Sequence, residues 1–268
     1  MSASPVRGEL GIVVIPESQA ASLLLSQWGS ADNYRYMAAG AYRFFFDRNI
    51  QADYVHIYDI AEYRYLYLPY PLMLKKQTAQ ALSEWVGAGG HLICEGCPAY
   101  FGDHGHVSTV QPGFGLDRVF GALQEYVEFT PDLLDGFAIQ FGSFNAYGSE
   151  YVQAYRPITG EVRARLGSGK AIAVENRHGD GRALLIGTCL SKGYFDHPGS
   201  GAGALIESVL AGWGMGRLLS TDNDEIKIRL QQSGSRVFAW MLNPAYETQT
   251  AEIRFSKRLG ARGIRRSH

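Results

Sequence analysis

Short, continuously apolar runs alternate along the first part of the chain with segments whose apolar residues recur at helical spacing, and this alternation restricts the fold more than any other feature. Gly11 to Pro16, GIVVIP, is β-branched throughout and ends in proline, the pattern of a strand buried on both faces. Asp32 to Arg48 follows, with Asp32 placed to cap a helix, Tyr36, Ala39, Tyr42 (or Arg43) and Phe46 at helical spacing, and Asn49 ending it. ADYVHIYD from Ala52 predicts a second strand. Tyr65 to Leu74, YLYLPYPLML, predicts a third, which its two prolines should force out of the sheet. Lys75 to Val86 reads as a helix closed by Gly87, Gly89 and Gly90, and HLICEG from His91 as the fourth strand. Strands separated by helices need crossover connections, so the expectation is an α/β fold with a mainly parallel sheet and helices on both faces.

Beyond Pro112 the pattern loosens. Phe114 to Leu123 predicts a short helix, and Gln124 to Gly169 predicts antiparallel strands and loops. Lys170 to Leu190, KAIAVENRHGDGRALLIGTCL, predicts a hairpin with Asp180-Gly181 as its turn. Ala202 to Gly212 returns to helix, with Leu205, Val209 and Trp213 in line. From Asp224 onward strict alternation, with turns at Ser233-Gly234-Ser235 and Asn243-Pro244, predicts a small antiparallel β-unit that needs the rest of the chain for support. The division expected is 1–219 for the α/β domain and 220–268 for the β-domain.

Hydrophobic residues make up 46% of the 268 and charged residues 19%, enough apolar mass for a sizeable core. A net charge of -1 argues against a nucleic-acid partner, and the basic residues Arg262, Arg265 and Arg266 read as a frayed end. No apolar run approaches the roughly 18 residues of a membrane helix, and the short N-terminal one does not make a signal sequence. Three cysteines cannot all pair internally, so a reducing, cytoplasmic setting is expected, with no membrane partner.

Several of these pieces resemble one family. The run YLYLPYPLMLKKQTAQALSEWVGAGGHLI from Tyr65 is similar to a segment of family-42 β-galactosidases in which a proline-ended strand and a helix close on V-x-x-G-G-x-L. AIAVENRHGDGRALLIGT resembles that family's N-x-x-G-x-G-R hairpin, and VFAWMLNPAYETQTAEI resembles its small C-terminal β-domain. The resemblance covers about Gly11 to Phe255 and falls on the trimerisation domain and the β-domain behind it. It implies a flavodoxin-like fold of the class I glutamine amidotransferase-like kind. It further implies a homo-oligomer, a trimer favoured, serving a catalytic (β/α)8 barrel domain in a parent protein. Such a barrel takes about 250 residues and is not legible in this sequence.

The chemistry-bearing residues crowd between Gly90 and His106, GHLICEGCPAYFGDHGH. In amidotransferase-like folds the nucleophile sits in an I-C-x-G elbow, and Ile93-Cys94-Glu95-Gly96 stands where that elbow belongs. The chemistry needs a Cys94 thiolate with a histidine oriented by a carboxylate, for which His178 and Asp180 are the candidates. Against this, Pro98 crowds the start of any helix and His178 reads as a hairpin tip, so Cys94 reads better as a small buried strand residue. A zinc reading takes His91, Cys94, Cys97, His104 and His106, but alternation along a strand turns His91 and Cys94 to opposite faces. Glu95 with Asp103, or Glu175 with Asp180, has no spacing that marks a glycosidase pair. The aromatic residues suit either a core and subunit interface or, as another alternative, a carbohydrate-binding surface. The expectation is an assembly module with no catalytic residue, no cofactor and no metal of its own.

Overall fold

A computed structural model describes residues 3–26, 32–129 and 136–259. At its centre lies a nine-stranded sheet. Counting elements along the chain, β2 (Leu10–Val14) lies between β3 (Ala52–His56) and β4 (Tyr65–Pro69), β4 pairs with β5 (His91–Glu95), and β5 with β12 (Gly181–Ile186). These five strands are all parallel. Past β12 the sheet turns antiparallel through β11 (Ala171–His178), β9 (Tyr151–Pro157) and β6 (Ala122–Phe129), and it forks where β10 (Glu161–Arg165) also pairs with β11.

Both faces of β2, β4 and β5 are buried, which is why these strands read as nearly continuous apolar runs. One face sets Val13, Leu68, Leu92, Cys94 and Leu185 against α3 (Lys76–Gly87) and α4 (Leu116–Phe120). The other sets Ile12, Tyr67, Ile93, Leu184 and Ile186 against α2 (Asn33–Asp47), α5 (Leu190–Asp196) and α6 (Ala202–Gly212). Asp32 caps α2 as its sequence predicts, accepting from the Arg35 N–H. α2 and α5 pack closely because residue 40 is glycine: a Cβ there would overlap the Ser191 carbonyl.

Two elements depart from the sequence reading, while the antiparallel strands expected between Gln124 and Gly169 form. β4 is a central strand, not expelled, because Pro69 is its last residue and the missing N–H costs the ladder nothing at that point. α1 (Pro16–Ser26) was not anticipated; Pro16 opens it, where a proline fits a first helical turn, rather than closing the strand before it. β7 (Phe137–Phe141) and β8 (Phe144–Gly148) form a separate two-stranded hairpin beside the main sheet. Arg262, Arg265 and Arg266 lie outside the described residues.

The alternating C-terminal segment folds as expected into β14 (Lys227–Ser233) and β15 (Arg236–Leu242), joined by Gly234-Ser235. A short β1 (Ser4–Pro5) adds a third strand from the other end of the chain, and β13 (Leu219–Thr221) pairs with β16 (Ile253–Phe255). Leu219, Ile226, Ile228 and Leu230 make a small core of their own. That core is too small to stand alone, and polar groups tie it to the larger body. Asn49, held at φ 55 after α2, donates from Nδ2 to the Ile226 carbonyl (2.8 Å) and accepts the Ile228 N–H at Oδ1 (2.7 Å). Glu9 accepts the Gln51 and Leu218 N–H groups at 2.7 and 2.6 Å, and Arg217 bridges Glu207 to the Arg48 carbonyl.

Asn49→Ala leaves a buried N–H and a buried carbonyl unpaired, and alanine is also poorly suited to the left-handed conformation. The expected loss is about 2–4 kcal/mol, read as a lower urea midpoint at unchanged slope. A midpoint unchanged within error would show that the β-unit does not depend on this clasp.

Candidate functional site

In open parallel sheets ligands bind beyond the carboxyl ends of the strands, where the strand order reverses. Here that point lies between β2 and β4. It is filled by the chain itself. Ser18 on α1 donates its Oγ–H to the Met73 carbonyl (2.7 Å) and accepts the Met73 N–H (3.1 Å), while the Ile15 N–H donates to the Tyr34 hydroxyl (2.6 Å). Tyr70, buried at φ 45, lies with its ring centroid 6.1 Å from that of Tyr151.

One strand along, β5 ends in Glu95, which is fully buried. Its carboxyl group accepts the Ser191 N–H (2.9 Å) and the Ser191 hydroxyl. The carboxyl therefore caps the start of α5 and fastens β5 to the element after β12. Burial pushes its pKa up, against those hydrogen bonds, to about 7. Cys94, Cys97 and Cys189 are all buried free thiols, and burial raises each of them, Cys97 to about 12. These are neutral thiols without access to solvent, the opposite of an activated nucleophile.

The structure does not bring the predicted catalytic set together. Cys94 lies within β5 and no helix starts after it; Gly96, at φ 94, leads into a loop, and the next helix is α4. Cys94 pairs in register with Leu185, whereas His178 pairs with Gly181, four residues earlier on the same strand. That places them roughly 13 Å apart along the strand direction. His178 Nε2 instead meets Ser83 Oγ on α3 at 3.2 Å. The hairpin turn is Gly179-Asp180 rather than Asp180-Gly181, with Gly179 at φ +56. Gly181 starts β12 so close to α3 and its trailing loop that a Cβ would overlap the Val86 and Gly90 carbonyls.

The metal candidates are likewise divided. Cys94 and Cys97 are buried in the core, His104 and His106 are exposed in a loop, and His91 faces the opposite side of β5, stacked on Tyr65. Among the described residues no group of three or more His, Cys, Asp or Glu is placed to hold a metal ion. Asp103 accepts the Lys76 N–H (3.1 Å) at the start of α3. Asn176 donates to the Arg118 and Val119 carbonyls at the end of α4. The recognisable motif residues of the hairpin thus make packing contacts. Glu95 was legible only as a loose carboxylate; its capping role depends on Ser191, 96 residues away.

Comparison with known proteins fits this picture. The model of one family, described as the β-galactosidase trimerisation domain, matches residues 17–198. The fold is similar to β-galactosidase from Bacillus circulans sp. alkalophilus (18% identity, TM-score 0.74, 88% of this chain and 35% of that one). It is also similar to that from the haloarchaeon Halorubrum lacusprofundi (21%, 0.69, 85% and 34%) and to α-L-fucosidase isoenzyme 2 from Paenibacillus thiaminolyticus (14%, 0.65, 95% and 43%). The chain thus spans about a third of the length of these solved β-galactosidases. No curated protein matches. Among the described residues no helix is long and apolar enough to cross a membrane.

The raised Glu95 carboxyl carries a pH signature. The folded protein holds this proton more tightly than the unfolded chain, so the stabilisation is complete below about 4.5 and is lost as pH rises through about 7. At about 1.4 kcal/mol per unit the loss is on the order of 3 kcal/mol. Urea denaturation of the native protein and of Glu95→Gln across this range should give profiles that diverge, the variant gaining relative stability as pH rises. Parallel profiles would refute the assignment.

Proposed function

Because the chain belongs to the β-galactosidase trimerisation-domain family, we propose that it acts as the self-association module of a family-42 glycoside hydrolase, assembling as a trimer around catalytic (β/α)8 barrel domains of a parent protein. The observation that carries the reading is the family match across residues 17–198, together with the closed carboxyl edge of the sheet. Where an α/β enzyme opens a ligand crevice, Tyr70, Ser18 and Met73 fill the space with ordinary packing and hydrogen bonds.

We read the α/β part as flavodoxin-like, of the class I glutamine amidotransferase-like kind. Support comes from the order of its parallel strands, β3-β2-β4-β5-β12, which numbers 2-1-3-4-5 by appearance among the parallel strands. The division into 1–219 and 220–268 is supported by the separate small core around Ile228, with β1 lent to it from the first part. Three free buried thiols favour a cytoplasmic setting.

Sedimentation of the chain at tens of micromolar should return three times its 29.5 kDa mass. A clean monomer would overturn the assembly role. Pure chain should not turn over a chromogenic galactoside, and measurable, protein-dependent hydrolysis would show that bond-breaking groups are present after all. Cys94 should react with a thiol reagent only as the protein unfolds; fast labelling of the native state would reopen the cysteine-enzyme reading.

A further inference from the structure

At the amino end of the parallel strands, on the α6 side, lies a cleft of about 830 Å³. α6 and the tip of the β7–β8 hairpin form its walls, and β10, β11 and β12 its floor. Its centre is Glu175. The Trp213 indole N–H donates to this carboxylate at 2.8 Å, and Arg163 and Arg182 pair with it at 3.4 and 3.5 Å. Arg163 reaches it from an irregularity in the β10–β11 register between Val162 and Ala164, a device that re-aims a side chain. Glu161 stands directly across from Glu175 in the ladder, and Arg177 directly across from Arg182. Like charges set opposite each other weaken a sheet, so this arrangement is not one that stability favours. Among the described residues Glu161 and Arg177 take part in no ion pair.

We propose that this cleft binds a neutral oligosaccharide of two or three rings. Its size lies within the roughly 300–1,000 Å³ usual for small-molecule sites. The choice of ligand class follows from the charges. An anion would meet two carboxylates, and a cation would meet three guanidinium groups. A sugar hydroxyl both donates and accepts, so adjacent hydroxyls satisfy carboxylate and guanidinium groups side by side. Phe144 and Val209, both half-buried, give the C–H faces of the rings an apolar surface. Glu175 is held from three directions before any ligand arrives, so little ordering is needed on binding.

Titration calorimetry of the full chain with lactose, maltotriose and cellotriose tests this. At least one should bind saturably. Glu175→Gln keeps an acceptor for Trp213 but loses the charge, and should weaken binding about tenfold, the usual scale for a hydrogen bond to a charged group. Ser208→Trp, changed on the exposed side of α6, should abolish binding by filling the cleft, with the melting temperature reporting that the fold is intact. Three silent titrations overturn the proposal, as does binding that neither variant alters. Citrate binding in place of the sugars, with the same dependence on Glu175, overturns the neutral-sugar assignment. Dissociation of the oligomer by either variant would mark the cleft as subunit contact, and the proposal falls.

Discussion

The parallel contact between β5 and β12 holds the two halves of the molecule together. Everything on the antiparallel side of the main sheet, from β11 to β6, attaches to the parallel side through β12. His91 to Glu95 pairs in unbroken register with Arg182 to Ile186, a junction between segments about 90 residues apart. Closing so long a loop is costly in entropy and no local propensity offsets it. Two details fix the register at its ends. Gly181 lets the start of β12 lie against the carbonyls of Val86 and Gly90, and Glu95 at the far end captures the Ser191 N–H just beyond β12. A shift by one residue would move Leu185 out of one core and into the other.

The parallel half was legible because burial on both faces leaves a plain signal. GIVVIP and HLICEG read as strands with apolar neighbours above and below, and of the helices between them α2 has its Asp32 cap and α3 its glycine stop. The failures share a cause. Reading Pro69 as an expelling residue treats proline as forbidden in a sheet, when only the N–H is lost, and at the last residue of a strand no partner awaits it. α1 was hidden because Leu23, Leu24 and Leu25 are consecutive and leave no one-sided apolar stripe. β1 has two residues, and its place beside β14 is a long-range pairing that no window of sequence contains.

The candidate site was legible as a list of residues but not as an arrangement. Cys94 belongs to the right kind of strand, yet a nucleophile elbow needs a helix immediately after it, and Gly96 begins a loop instead. His178 and Asp180 do sit at a hairpin tip, but register carries that tip to the amino end of β12 while Cys94 lies toward the carboxyl end. Spacing along the chain says nothing about which end of a sheet a residue reaches; pairing does. The same limit hid the surroundings of Glu175, whose three partners come from β10, β12 and the residue after α6.

The two ends of the parallel sheet therefore follow opposite physics. At the carboxyl end, tyrosines, thiols and a carboxyl with a raised pKa are packed dry, and their hydrogen bonds serve to lock α1, α5 and the strand ends in place. At the amino end, charges of both signs stand in an open cleft under α6, more of them than the ladder needs. The proposed assembly role would benefit from the first condition, since rigid strand ends transmit position without storing a movable gap. The second adds nothing to rigidity, and like charges opposed across β10, β11 and β12 detract from it. That imbalance is why the amino-end cleft, and not the cysteine-bearing strand that first draws the eye, is the part of the fold with capacity left for a ligand.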